Sequence, residues 1–258
     1  MRDDILSQQN ELVSIITPMH NSELFIRETI ESVISQTYQN WEMIIVDDFS
    51  NDKSLDIVQE YAAKDKRIIA IPLSQKSSNG PIDVRNKGIE VARGRFIAFL
   101  DSDDLWDKNK LEVQLSFMLE GKIAFSYCNY RIYDDVKKII KSEFAAPAKA
   151  TYNDICKGNY IGCLAAMYDT AMIGKIYIVN APKREDFATW LAILKKVPCA
   201  HNVSQTLATY RLRPYSVSSK KRRLIKHQWY VYRKIEKIGF LKSTYYLMAT
   251  IINKLFKY

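Results

Sequence analysis

The sequence predicts a doubly wound α/β fold, a mixed but mostly parallel sheet flanked by helices, followed by a helical C-terminal tail. Three observations predict it. Short β-branched apolar runs alternate with stretches of helical periodicity over the first part of the chain. Those runs are mostly apolar without a strict alternation, the pattern of strands covered on both faces. Their carboxyl ends carry polar or acidic clusters, where such sheets bind ligands.

Taken in order, Leu12–Thr17 reads as a buried strand that Pro18 stops. Over Ser22–Gln36, Leu24, Phe25, Ile30, Val33 and Ile34 have helical spacing, with Ser22 placed as the N-cap. Trp41–Val46 is a second strand ending in Asp47-Asp48. Lys53–Ala63 is a helix with Leu55, Ile57 and Val58 inward, and Arg67–Ile71 a third strand. Leu73–Pro81 is a polar loop turning at Asn79-Gly80. Ile82–Ala92 is a helix stopped by Gly94. Arg95–Leu100, the fourth strand, runs into Asp101-Ser-Asp-Asp104. Beyond a helix at Lys108–Gly121 the pattern changes to a mixed sheet. Ile123–Tyr133 and Leu164–Tyr168 read as strands, with a turn at Asp134-Asp135. Glu185–Lys195 is a helix carrying Trp190, Leu191 and Leu194; Asn202–Arg211 reads as an edge strand; a helical tail begins near Lys220. No Pro/Gly/Ser-rich linker and no repeat interrupts the chain.

The net charge of +9 is unevenly placed. Arg211–Tyr258 holds 13 Lys/Arg against Glu236 alone and is +12, while the preceding 210 residues are −3. That distribution argues against a nucleic-acid-binding core and for a tail that meets anionic lipid or another polyanion. Lys220–Arg223 with Trp229, Tyr230, Tyr232, Phe240, Tyr245, Tyr246, Leu255 and Phe256 has the composition of an interfacial amphipathic surface. A helix packed on the main body with a solvated basic face is the plainer alternative. Cys128, Cys156, Cys163 and Cys199 have neither CxxC spacing nor a zinc pattern with His20, His201 or His227, and read as buried thiols of a reducing cytoplasm. Met1–Glu11 is polar and acidic, unlike a secretory leader. The longest uncharged stretch near the end, Ser243–Asn253, is too short to span a bilayer.

Two clusters carry candidate chemistry. Phe99–Trp106 ends a hydrophobic strand in three carboxylates within four residues. Clustered carboxylates repel, and a hard divalent ion bridged to substrate phosphates relieves that repulsion. On an extended backbone Asp101 and Asp103 face one side. The competing reading is a helix N-terminus capped by Asp104. The second cluster, Val46–Asp52, offers a carboxylate able to accept from a pyrimidine imide or ribose hydroxyls. Its competing reading is a strand-to-helix turn capped by Ser50 or Asp52.

Several ordered motifs together carry a resemblance. Ser14–Asn21 (SIITPMHN), Glu31–Ser54 and Val84–Trp106 resemble the opening motifs of the family 2 inverting glycosyltransferases, and Lys183–Leu194 and Thr209–Ser218 resemble later ones. The resemblance spans about residues 12–218. It implies the GT-A fold, with a catalytic unit at 1–218 and a basic amphipathic tail at 219–258. Within the unit it implies a nucleotide-binding half at about 12–106 and an acceptor half at about 107–218. It implies a nucleotide-sugar donor, with UDP the expected nucleotide, and Mn²⁺ or Mg²⁺ as cofactor. The acceptor would be a glycan or lipid-linked hydroxyl in bacterial cell-surface polysaccharide synthesis, lipopolysaccharide or capsule. Catalysis would be cytoplasmic, at the inner face of the membrane.

Residue by residue, the resemblance puts Pro18 and Asp48 at the base, Asp101 near the ribose and Arg85 close to the nucleotide, with Thr17 and Ser102 also among the nucleotide-binding residues. Asp103 matches the metal-coordinating position and Asp186 the catalytic base. Glu185 and Trp190 fall by the acceptor, and Arg211 and Arg213 by the diphosphate. Three positions depart from the family pattern: Phe49 where Gly is usual, His20 where Tyr is usual, and Arg213 where many members have His. Arginine cannot ligate a metal and would pair only with phosphate. Two other function classes compete. A nucleotidyltransferase would want a Gly-rich basic loop after the first strand, whereas Pro18–Glu23 contains neither Gly nor Lys. A non-catalytic lipid- or polyanion-binding protein on this scaffold would have no need of Asp101, Asp103 and Asp186.

Overall fold

The computed structural model describes residues 10–212 and 221–256. Its centre is a ten-stranded sheet. Strands β1 (Val13–Met19), β2 (Trp41–Asp47), β3 (Ile68–Pro72) and β4 (Phe96–Phe99) form the parallel part, in the order β3-β2-β1-β4. Helices α1 (Ile26–Ile34), α2 (Ser54–Lys64) and α3 (Pro81–Val91) connect them. Every residue of β2 is buried, as its apolar run predicted for a strand covered on both faces.

The sheet then turns mixed. After β5 (Leu105–Trp106) and α4 (Lys110–Gly121) come β6 (Phe125–Asp134), β7 (Ile139–Phe144), β8 (Lys149–Ala150) and α5 (Tyr152–Lys157). A 3₁₀ turn at Cys163–Ala165 leads into β9 (Met167–Asp169) and α6 (Thr170–Ile173). Helix α7 (Glu185–Leu194) and strand β10 (Ala200–Leu212) follow. The order continues β4-β9-β6-β10-β5, with β7 on β6 and β8 on β10. Strand β9 runs antiparallel to both β4 and β6, whereas β10 is parallel to β6. This is the GT-A arrangement: a central, mostly parallel sheet between helices.

Four sequence expectations are corrected. Asn202–Arg211 is no edge: β10 bonds β6 along its length and takes β5 and β8 on its other side. Ser22 does not cap α1 with its side chain; its carbonyl closes a turn onto Phe25 and Ile26, and its hydroxyl is used elsewhere. Gly94 is not a left-handed stop for α3, which ends at Ala92 in extended backbone. A Cβ at Gly94 would lie 2.6 Å from the Ser14 amide nitrogen, so glycine is there to let β4 enter beside β1. Leu164–Tyr168 is part 3₁₀ turn and only then strand.

The tail forms α8 (Lys221–Tyr230), a π-helical turn (Val231–Ile235) and α9 (Phe240–Phe256). It packs on the rest of the fold through Tyr232 and Tyr246, both buried. The Tyr232 hydroxyl donates to the Cys156 carbonyl at 2.5 Å, and the Tyr246 hydroxyl to Asn153 at 2.5 Å. The Phe187 ring on α7 meets Tyr232 edge-on at 5.9 Å. Among the described residues no helix is long and apolar enough to cross a membrane.

Candidate active site

Chain order places the site. Strand order reverses between β1 and β4, so the carboxyl ends of these strands open a crevice where no connection crosses. On the β1–β2 side sits Asp48, 5% exposed. Its amide donates to the Met19 carbonyl (2.8 Å), and its Oδ1 accepts from the Ser77 amide (2.6 Å). His20 Nδ1 lies 2.9 Å from the Asp48 carbonyl, so Nδ1 carries the proton and Nε2 faces Lys76 Nζ at 3.4 Å. The neighbouring acids are spent on the turn. Asp47 accepts from the amide and hydroxyl of Ser50, and Asp52 from Ser54 and the Glu23 amide. Thr17 is buried with a hydroxyl unpartnered among the described residues, and Pro18 is half-buried beside it. Phe49, in the usual glycine position, is exposed and adopts φ +59°.

On the β4 side Asp101–Asp104 is a tight turn, not the extended segment expected: the Asp104 amide donates to the Asp101 carbonyl (3.1 Å). Thr29 on α1, Ser22 just before that helix and the backbone amide of Arg211 on β10 clamp it. Thr29 Oγ1 lies 3.1 Å from the Ser102 carbonyl and 3.0 Å from that of Asp104. The Ser22 and Ser102 hydroxyls pair at 2.7 Å. Asp104 caps no helix, because α4 starts only at Lys110; its Oδ1 accepts from the Arg211 amide at 2.9 Å. Asp101 and Asp103 are half-buried on the same turn.

Helix α3 brings Arg85 under this turn. Its guanidinium is buried and donates from Nη2 to Asp101 Oδ1 at 2.5 Å. Its Nε and Nη1 have no partner among the described residues. The next residue, Asn86, exchanges two hydrogen bonds with the Ile178 backbone (2.6 and 3.2 Å). That ties α3 to the segment entering α7, whose first two residues are Glu185 and Asp186.

Asp186 is half-buried, and its Oδ1 is enclosed with no partner among the described residues. Burial pushes its carboxyl up to about 6; Arg85 opposes that rise, while Glu185 and Asp101 add to it. Cys163 in the 3₁₀ turn stands close enough to Asp186 to oppose the rise of its carboxyl, and its own ionisation is driven well up by burial and the surrounding acids. The Arg85 guanidinium thus bonds the carboxylate at the end of β4 and acts on the one at the start of α7 through its charge alone.

Two further expectations change. Trp190 does not line a surface: it is 0% exposed, its indole N–H donates to the Ile161 carbonyl (3.0 Å), and it packs on Phe99 and Phe125. It anchors α7 to β4 and β6. Arg211 spends its guanidinium on Glu28 (2.6 Å) and Asp135 (3.4 Å), so pairing with a diphosphate would require breaking those contacts. Arg213 lies outside the described residues. Nor are the cysteines uniform: Cys128, Cys156 and Cys163 are buried, Cys199 half-buried. Sequence reasoning missed Thr29, Ser22 and Cys163 as parts of the site. Ser22 and Thr29 stand among polar neighbours and Cys163 in an apolar run that reads as core, so no local signal flags them.

The acids suit a hard cation by donor chemistry. Among the described residues no group of three or more His, Cys, Asp or Glu converges into a protein-only cage. An ion held by one carboxylate and completed by substrate phosphates needs none.

The model of the family described as Glycosyl transferase family 2 matches residues 14–170. TuaG of Bacillus subtilis (strain 168), assigned by its name to teichuronic acid biosynthesis, is 44% identical over 234 residues, covering 91% of this chain and 92% of its own. WfgD of Escherichia coli is named a UDP-Glc:alpha-D-GlcNAc-diphosphoundecaprenol beta-1,3-glucosyltransferase. It is 42% identical over 219 residues, 84% of each chain. Among solved structures, TarS of S. aureus in complex with UDP-GlcNAc superposes with a TM-score of 0.72 at 22% identity, over 96% of this chain and 73% of that one. The mannosyltransferase PcManGT of Pyrobaculum calidifontis, with GDP-Man and Mn2+, superposes with a TM-score of 0.69 at 16% identity, over 93% and 69%.

Proposed function

The chain belongs to glycosyltransferase family 2, and from that premise we propose that it transfers a sugar from a UDP-sugar, with inversion, to a hydroxyl of a lipid-linked glycan in bacterial cell-surface polysaccharide synthesis. The observation that carries the mechanism is the Asp101–Arg85–Asp186 grouping, where an under-satisfied carboxyl stands beside the crevice for the donor. Its tuning to about 6 leaves Asp186 ionised at neutral pH and able to accept a proton.

Thr17, Pro18 and Asp48 would line the base site. The outward capacity of Asp48 suits an imide N–H, because the Ser77 amide holds its carboxylate in place. Asp101 and Ser102 would face the ribose, with Asp101 oriented by Arg85. Asp103 would hold Mn²⁺ or Mg²⁺, which when bound neutralises charge on the diphosphate. Asp186 removes the proton as the acceptor oxygen attacks the anomeric carbon. The bond from that carbon to the diphosphate oxygen breaks on the opposite face, the new glycosidic bond forms, and the configuration inverts. Burial holds the Asp186 carboxyl up, and Glu185, adjacent at the helix start, adds to that rise. The membrane holding the acceptor would be met by the basic tail, placing the enzyme at the cytoplasmic face. The relatives named for teichuronic acid synthesis and for glucosylation of a diphosphoundecaprenol support the acceptor class.

The test is a panel of UDP-sugars with Mn²⁺ and an undecaprenyl-diphosphate-linked acceptor, with product stereochemistry read by NMR. Inverted product from a UDP-sugar is expected. Turnover only with other nucleotide sugars, or retention at the anomeric carbon, sinks the reading.

A further inference from the structure

We propose that helix α9 is a lipid-docking surface that lays one apolar stripe into an anionic monolayer. This deepens the reading of the tail given above and rests on it. The observation is an inverted distribution of polarity. The face of α9 turned inward carries Ser243, Tyr246, Thr250 and Asn253, with Leu247 half-buried against the core at its margin. Each spends its polar group on the protein or on its own helix: Tyr246 on Asn153, Thr250 on the Cys156 and Tyr246 carbonyls, Asn253 on the Lys157 carbonyl, Ser243 on the Ile238 carbonyl. The outward face carries Leu241, Tyr245, Met248 and Ile252, spaced four, three and four residues apart on one line of the helix. They are 84%, 57%, 53% and 48% exposed. A helix packed on a globular body ordinarily shows the reverse. Exposing a continuous apolar line marks a surface meant to be covered.

Charge selects the occupant. Lys242 is exposed next to the stripe, Lys157 Nζ lies 6.0 Å from the Tyr245 ring, and Lys234 and Lys237 are exposed on the approach to α9. The segment from Arg211 to the end carries +12. A second copy docking here would bring two such segments together, whereas an anionic bilayer offers both apolar depth and opposite charge. One apolar stripe binds reversibly, and basic residues supply the second attraction that stable interfacial binding needs. The placement also serves the chemistry. Helix α9 packs on α5, and the tail's Tyr232 touches Phe187, the residue after Asp186. A docked α9 therefore holds the base-bearing helix at a set height above the lipid that carries the acceptor.

The experiment is sedimentation of the full chain with vesicles of phosphatidylcholine alone or mixed with phosphatidylglycerol. Leu241→Glu/Met248→Glu and Lys237→Glu/Lys242→Glu would be compared with the wild type. The wild type should sediment with the mixed vesicles and less with phosphatidylcholine alone. The stripe variant should lose at least about tenfold in binding, as expected when two buried apolar side chains become charged. The lysine variant should lose affinity and show a shallower salt dependence. Melting temperature and UDP-sugar hydrolysis without acceptor should match wild type in both, since neither surface touches the crevice. A stripe variant that binds as tightly as wild type overturns the proposal, and so does a wild type that ignores mixed vesicles at low salt. A dimer that the stripe substitutions dissociate, with vesicle binding unchanged, would give the face to a second copy instead. Absent UDP-sugar hydrolysis in every form would count against the transferase chemistry and leave the vesicle result standing.

Discussion

The parallel half of the sheet and the mixed half hold their acids by opposite means. At the ends of β1, β2 and β4 each acid is met by donors: Asp48 by the Ser77 amide, Asp101 by Arg85, Asp104 by the Arg211 amide. Beyond the mixed strands, Asp186 is enclosed with an oxygen unpartnered among the described residues, and its carboxyl rises to about 6. Hydrogen-bonded carboxylates are fixed in direction and suit binding. An enclosed, under-satisfied one has its charged form destabilised and suits proton transfer. One crevice thus offers both kinds of acid because its two walls come from differently built halves of the sheet.

The largest expected effect breaks that contrast outright. Asp186→Asn should lower turnover by roughly 10²–10⁴-fold, the usual cost of removing a general base. It should also stabilise the protein at pH 8. Because the folded-state pKa is raised from 3.8 to about 6, the native state binds more protons than the unfolded chain between those values. Stability from this group therefore falls as pH rises through that window and stays low above it. The variant should melt higher than wild type at pH 8 and converge with it toward pH 4. A variant that melts lower at pH 8 would mean that Asp186 is a structural anchor and the contrast is wrong.

Arg85→Met tests the link between the walls. Removing the buried guanidinium takes away the charge that holds the Asp186 carboxyl down, so the acid limb of the pH–rate profile should move above 6. Asp101 loses its donor at the same time. At pH 7 the rate should fall by about 10–100-fold through both effects. An unmoved acid limb would show that Arg85 does not act on Asp186.

The same contrast explains how much was legible in the sequence. The parallel half declares itself: LVSIIT, WEMIIV and RFIAFL are mostly apolar runs without a strict alternation, and acids stand at their ends because strands there must stop at a crevice. Every strand and helix of that half falls within two residues of its expected bounds, apart from the start of α1. The mixed half does not. Strand β7 is exposed over most of its length and has no apolar pattern to read. Strand β10 looks like an edge because its alternation is broken where its pairing with β6 shifts register. Trp190 carries no mark distinguishing a core indole from a ligand platform, and only its packing on Phe99 and Phe125 decides. The clamp on Asp101–Asp104 was invisible for another reason. Ser22 and Thr29 are 80 and 73 residues from Ser102, and the contact exists only once α1 lies across the end of β4.

Thr29→Val measures that clamp. The substitution keeps the shape and deletes a hydroxyl whose single proton is shared between two buried carbonyls. The loss should be about 1–2 kcal/mol of stability, or a few degrees in Tm. The useful readout is affinity: calorimetric binding of Mn²⁺ with UDP should weaken by about threefold to tenfold. Equal stability loss with unchanged affinity would make the clamp purely structural.

A last effect, on stability alone, concerns another under-satisfied charge in the mixed half. Lys110 is 0% exposed, donates to Gln114 Oε1 at 2.8 Å, and lies 4.0 Å from the Trp106 ring centroid. Among the described residues it makes no ion pair, and it opens α4, where the helix dipole disfavours a cation. Burial lowers its ammonium from 10.5 to about 8, with Cys128 opposing. The unfolded chain therefore binds more protons than the native state between these values, and stability from this group rises with pH across them. Lys110→Met removes the term. Wild type should gain roughly 5 °C in Tm relative to the variant between pH 7.5 and pH 10. If the two melting curves shift in parallel over that range, Lys110 stays protonated in the native protein, its ammonium satisfied by Gln114, the Trp106 face or water. In that case the under-satisfied charge gathers at the start of α7, where Arg184, Glu185 and Asp186 each leave a buried polar atom unpartnered among the described residues, and is not a general property of the mixed half.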